Sequence, residues 1–163
     1  MLEFALVAPV MLLLVLGVLE AMLLMFSITS ARFAVTEAGR IASELGNNPT
    51  TDQQAVAAVR ASILGQSGLV QVSEVDVYKL DLNAGTGALT QDPTDVNRYN
   101  LDGSPIGTVN WLPATRNVTL SNGDYLGVTI VYSYRWKTGL FDSFLPAVDQ
   151  TAVDHLRVEP QVY

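Results

Sequence analysis

The chain has 163 residues, enough for one domain of ordinary size, of which 49% are hydrophobic and only 15% charged, against roughly 25% charged in soluble domains; this composition excludes a water-soluble globule throughout. Between residues 4 and 31 the only ionisable side chain is Glu20, whereas residues 45–163 hold 12 acids against 7 Lys and Arg, which is −5 of the total −7. An acidic polar part argues against a nucleic-acid partner, since phosphate binding needs basic patches, and zero cysteines with one histidine, His155, exclude thiol, zinc-thiolate, iron–sulfur and two-imidazole chemistry.

Residues 4–31 read FALVAPVMLLLVLGVLEAMLLMFSITSA, and as a helix they extend roughly 42 Å against a hydrocarbon core of about 30 Å. The opening Met1-Leu2-Glu3 is acidic where a secretory leader is basic, so an uncleaved anchor is predicted rather than a signal peptide. Past Ala31 the run becomes amphipathic, with Val35, Ala38, Ala42 and Leu45 on one face and Glu37, Arg40 and Glu44 at ion-pairing distances. It stops at Gly46-Asn47-Asn48-Pro49, a glycine cap followed by a proline. A single helix from Leu2 to Leu45 is therefore expected, disturbed near Pro9, where one backbone hydrogen bond must be lost.

The spacing of three and four runs through Leu14, Gly17, Ala21, Leu24, Ile28 and Ala31, a stripe of small and branched residues suited to helix packing between subunits. Glu20, deep in the apolar run, is costly as a free carboxylate by about 2.5–3.5 kcal/mol. With no basic residue of its own helix nearer than Arg32, roughly 18 Å away along the axis, it is expected at a subunit contact, either neutral and hydrogen-bonded or paired across subunits. Glu3, near the positive end of the helix dipole, is expected to act through its charge.

Beyond residue 46 a head begins. Thr50-Thr51-Asp52 caps a short helix whose Ala55, Val56, Val59, Ile63 and Leu64 face inward, ending near Gly65. The period then changes to two. Strands are predicted at Val70 to Leu82, Asp124 to Lys137 and Thr151 to Glu159, with a weaker one at Gly107 to Leu112 and a hairpin through Asn122-Gly123 back to Asn117–Leu120. Asn83 to Pro105, rich in Gly, Asp, Asn, Thr and Pro, reads as a long surface loop. The fold class is α+β: a hydrophobic helix over 1–46, then a head over 47–163 with a short helix and an antiparallel sheet of four or five strands.

Catalytic constellations are missing. His155 shares a face with Val153, Arg157 and Glu159 and reads as a plain strand histidine. Asp81-Leu-Asn83-Ala-Gly85 and Asp92-Pro-Thr-Asp95-Val-Asn97 have calcium-like spacing but lack a bidentate glutamate, so turn chemistry is the better reading. Asn117-Val118-Thr119 fits the N-glycosylation pattern. Leu140, Phe141, Phe144 and Leu145 form either an exposed contact patch or, as slightly favoured, a cap folded under the sheet. The chain is expected to be no enzyme and to need no cofactor or metal.

Glu3-Phe4 opening the apolar run, the Pro9 of Ala8-Pro9-Val10, the Gly17-Val18-Leu19-Glu20 step and Ala38-Gly39-Arg40 together resemble the N-terminal domain of TadE-like pseudopilins, the pilin-like proteins of tight-adherence type IV pilus systems. In such proteins a glutamate close to the mature N-terminus pairs with the amino terminus of a neighbouring subunit, and Glu3 is the matching residue. The resemblance implies a single-pass membrane protein that later enters an extracellular filament, alone or mixed with other pilin-like subunits, after a prepilin-type peptidase and the pilus assembly machinery have acted. Adhesion or surface attachment is the function it implies; the alternative is an anchored binding or sensor protein that does not polymerise.

Overall fold

The computed structural model describes residues 2–139, 141–142 and 144–160; the side chains of Leu2, Glu3 and Ala5 lie outside what it describes, and with them the expected role of Glu3. Helix α1 spans Leu2–Leu45 and runs unbroken through Pro9, so no unwound turn appears there. It ends as the sequence predicts: Gly46 adopts φ +55°, and its N–H reaches back to the Ala42 carbonyl at 3.2 Å. This left-handed cap comes at little steric cost only in a residue without a Cβ.

After α1 come α2 (Thr51–Ala61), α3 (Ile63–Gln66), β1 (Val70–Leu82), β2 (Leu89–Tyr99), β3 (Tyr125–Tyr134) and β4 (Val148–Arg157), with a 3-10 turn at Pro113–Thr115. The four strands form one antiparallel sheet in the order β2-β1-β3-β4. One face of it covers the upper half of α1. Ala31, Ala34, Val35, Ala38 and Ala42 meet Val75 and Val77 of β1, Leu126, Val128, Ile130 and Tyr132 of β3, and Ala55, Val56 and Val59 of α2 in a single core. The alanines bury little area each but let backbones approach closely; an alanine-rich face thus serves sheet packing within the chain as well as it would serve helix packing between chains.

Four expectations about the head are corrected. The stretch Asn83 to Pro105 is not a surface loop: a turn at Asn83–Ala88 leads into β2, which pairs with β1 from Leu82↔Leu89 to Val75↔Tyr99. Its polarity misleads because β2 is an edge strand, where a proline and charged residues are tolerated and blunt the edge. The register shifts between Tyr78 and Leu80, where Asp92-Pro93-Thr94-Asp95 leaves the ladder and Asp92 accepts from the Thr94 amide and hydroxyl at 2.8 and 2.6 Å. Asn117–Leu120 forms no strand with β3, because both edges of β3 are taken by β1 and β4; the link is instead at Asp124, whose amide donates to the Asn117 carbonyl at 2.9 Å and whose Oδ2 accepts from the Asn117 amide at 2.8 Å. Gly107 to Leu112 is also irregular, and Ile63, expected inside, is 62% exposed.

Candidate functional site

Helix α1 is clasped to the head at two heights. At the upper end the Ser43 hydroxyl donates to the Arg157 carbonyl at 2.5 Å, and the Glu159 amide donates to the Ser43 carbonyl at 3.0 Å. At the lower end sits Glu20, only 1% exposed. Its Oε1 accepts from the Tyr134 hydroxyl at 2.8 Å and the Lys137 amide at 2.6 Å, and its Oε2 accepts from the Thr138 amide at 3.1 Å. Backbone N–H groups can only donate, so both oxygens act as acceptors, the arrangement that suits a carboxylate. Burial, then the hydrogen bond and the charge of Glu20, hold the Tyr134 hydroxyl above its ordinary range.

This overturns the expectation that Glu20 needs a partner from another subunit. Its partners come from its own chain, at the end of β3 and the turn beyond it, more than a hundred residues away in sequence. No local pattern announces them, although a carboxylate in an apolar run demands donors somewhere, and the tyrosine at the end of a strand is one of few such donors available. The head reaches lower still: an ideal Cβ on Gly17 would lie 3.6 Å from Phe141 Cζ, ordinary van der Waals contact, so a ring from the β3–β4 loop rests against the helix here.

Below the Gly17–Phe141 contact the described side chains of α1 are mostly exposed. Phe4, Leu6, Val10, Leu14 and Val18 are 54–77% exposed, and α1 is long and apolar enough to cross a membrane. The 18 residues from 2 to 19 extend roughly 27 Å, close to the thickness of a hydrocarbon core. The predicted packing stripe divides at the same height. Leu14 and Ala21 are exposed, Pro9 likewise, while Leu24 and Ile28 are half-buried and Ala31 is fully buried in the chain's own core. Ala31 therefore has no surface left for a subunit contact, and the spacing of three and four is used from Leu24 upward by the head. The apolar surface that stays open above the junction is a different one: Met22, Met25, Phe26 and Phe33 on α1, joined by Ile63, all at least 48% exposed. Phe26, Phe33 and Ile63 line one shallow groove.

A second buried polar cluster also has no warning in the sequence. Asp52, read there as part of a helix cap, accepts from Arg116 Nη2 at 2.6 Å, Asn97 Nδ2 at 2.8 Å and the Tyr99 hydroxyl at 2.9 Å. Asn97 in turn brackets Trp111, donating to its carbonyl at 2.6 Å and accepting from its amide at 2.9 Å, and the Arg116 guanidinium stacks 4.1 Å over the Trp111 ring. Desolvation, then the charge of Asp52, push the Tyr99 hydroxyl up. The cluster ties α2, β2 and the irregular 105–116 segment together; of the Arg116 guanidinium only Nη2 bonds to Asp52, while Nε and Nη1, in the group stacked on Trp111, are buried without a hydrogen-bond partner among the described residues.

The other marked residues are used locally. Asn83 Oδ1 accepts from the Gly85 and Thr86 amides at 2.9 and 3.2 Å, which closes the turn. Asn117 is exposed, with its Oδ1 on the Thr119 amide at 3.0 Å. His155 lies exposed on β4, its Nε2 3.4 Å from the Tyr78 hydroxyl. Among the described residues no group of three or more His, Cys, Asp or Glu is placed to hold a metal ion.

Residues 1–40 match the model of a family described as TadE-like protein. The match supports a TadE-like protein of tight-adherence pilus systems, and it ends inside α1, so it covers the bare helix and the Glu20 junction and leaves the head outside. No curated protein and no solved structure matches the chain.

Proposed function

We propose that the chain is a structural subunit, pilin or pseudopilin, of an extracellular type IV-related filament, held in the membrane by its N-terminal helix until it assembles, and that the filament serves surface attachment. One observation carries this over a solitary anchored protein. A bilayer can cover the bare helix up to Leu19, but Phe33 lies 14 residues, roughly 21 Å, further along the axis and is 74% exposed beside Ile63 at 62%. In a lone anchored chain that apolar face would stand in water; in a filament it packs against neighbouring helices. Leu14, Ala21, Met22 and Met25 belong to the same contact in this reading, and Glu3 pairs with a neighbour's amino terminus. A prepilin-type peptidase and the pilus machinery act before assembly, and the head acts by shape and adhesion rather than catalysis.

The test is direct. Surface material sheared from cells that express the chain is imaged by negative stain and its filaments are identified by mass spectrometry. This chain should be present in the filament fraction, and Phe33→Asp should lower filament yield at equal membrane levels of protein. A chain found only in the membrane fraction, with no filament containing it, would reject the reading in favour of an anchored binding or sensor protein.

A further inference from the structure

The described residues of the β3–β4 loop sit beside the lower clasp. Lys137 and Thr138 give their amides to Glu20, and Phe141 reaches down to Gly17, about one helical turn below Glu20. Next to it the surface is apolar: Phe144 is 85% and Leu145 42% exposed. Trp136 is held at the root of the loop by a bond from its Nε1 to the Pro146 carbonyl at 2.9 Å, and its ring packs 5.8 Å from those of both Tyr134 and Phe141. The Phe144 and Leu145 amides both turn back to the Phe141 carbonyl, at 2.9 and 2.7 Å, so the apolar tip carries its own hydrogen bonds. Arg135 and Lys137 are exposed on the same segment, with Asp142 opposing them.

We propose that Phe144 and Leu145, with Phe141 and Trp136 behind them, form a membrane-interface foot that rests the head in the headgroup layer while α1 spans the bilayer. The inference rests on the membrane-anchored stage of the reading above, and depth carries it. If the hydrocarbon covers α1 up to where the head first meets it, the bilayer surface crosses α1 near Gly17 to Glu20, and whatever the head presents at that height meets the lipid boundary. What it presents is an exposed aromatic and a leucine on a segment that also carries two exposed basic residues and a tryptophan, the composition that partitions into an interface. Glu20 then lies at the boundary rather than in the hydrocarbon, with its carboxylate covered by protein donors. The foot sets how far the stalk stands out of the membrane.

The chain has no cysteine, which permits single-site labelling. Phe144→Cys, Leu145→Cys and Ser121→Cys, the last exposed at the opposite end of the head beside Leu82 and Arg157, are labelled with an environment-sensitive fluorophore. Each full chain is reconstituted into phosphatidylcholine vesicles with a minor share of phosphatidylglycerol. Labels at 144 and 145 should be blue-shifted and quenched at least about twofold by lipid spin-labelled near the headgroup, whereas the label at 121 should be quenched only by aqueous iodide. Labels at 144 and 145 as open to iodide as that at 121, in chains that float with the vesicles, would overturn the foot and leave the membrane helix standing. Disulfide-linked pairs of unlabelled F144C without lipid quenching would assign the patch to a second copy and also overturn it. Failure to float with vesicles would overturn the membrane reading and the foot together.

Discussion

Replacing Glu20 tests the junction most sharply, because three donors converge on its carboxylate and even an isosteric substitution cannot satisfy all of them. Alanine at position 20 leaves the Tyr134 hydroxyl buried without an acceptor and frees the Lys137 and Thr138 amides. A hydrogen bond to a charged acceptor is worth roughly 1.5–3 kcal/mol. The two amides stand at a partly buried edge where water can replace part of the loss, so the docking of the 135–145 segment should weaken by about 2–4 kcal/mol in all. Glu20→Gln keeps the shape and loses only the charge, yet the geometry disfavours it. A carboxamide oxygen can take two of the donors, but its NH2 must then face the third, a donor against a donor. Gln should therefore cost nearly as much as Ala. The readout is hydrogen exchange at Lys137 and Thr138 in the full chain in detergent micelles, which should speed up by about 30- to 1,000-fold in both variants if opening is local. Unchanged protection in Glu20→Gln would refute the reading of Glu20 as an acceptor of three donors.

Other consequences concern the head and are read by urea unfolding of the full chain in micelles. Arg116→Met leaves the Asp52 carboxylate buried with neutral donors only and should cost about 3–5 kcal/mol, part of which the further change Asp52→Asn should restore; equal stability of the single variant and the parent would contradict a working ion pair. Asp76 is pushed up to about 6, first by burial and then by the charge of Glu74, against the opposing pull of Arg98. The folded head thus holds that proton more tightly than the unfolded chain, so stability should fall as pH rises from about 4 to about 6. Asp76→Asn should remove that slope and add roughly 1–2 kcal/mol at neutral pH, a figure already reduced for the partial exposure of the group. An unaltered pH profile would count against it. Gly127→Ala should cost about 1–3 kcal/mol, because its Cβ would fall 2.4 Å from the Tyr78 ring and displace the hydroxyl that Thr129 contacts at 3.2 Å.

Where local chemistry decides structure, it is readable in advance. The limits of α1 follow from an apolar run and a Gly-Asn-Asn-Pro stop, and those of β1 from the change to a period of two after Gly65, although the alternation skips where the register shifts at Ser73 and Lys79, and both ends of each agree with expectation. What fails is whatever depends on a distant neighbour. Edge strand β2 is polar because half of it faces water, and alternation cannot be seen across Asp92-Pro93-Thr94-Asp95. Asn117–Leu120 has strand-like residues and a strong turn, yet no free edge to join. The partners of Glu20 and Asp52 lie 114 and 64 residues away, and pairing at that range is a product of the fold rather than a cue for it. Ala31 shows the same limit from the other side. Its spacing is that of a helix contact, and only the head shows that the contact is internal.

The place of the clasps divides the work of α1. Between Glu20 and Ser43 the helix gives its alanine face to the sheet, which fixes the head against the stalk over roughly 35 Å. That leaves α1 itself two apolar surfaces for everything outside the chain: the segment below Glu20 and the Met22–Phe33 face, which Ile63 of α3 joins. A membrane can satisfy the first alone, while neighbouring helices can satisfy both. On the proposed filament reading, transfer from bilayer to filament would be an exchange of cover for the bare segment and a net gain of cover for the face around Phe33 and Ile63. Because the clasps are intramolecular, the subunit enters that exchange with its head already set at a fixed height, and the only new contacts required are those on the two surfaces that the head leaves open.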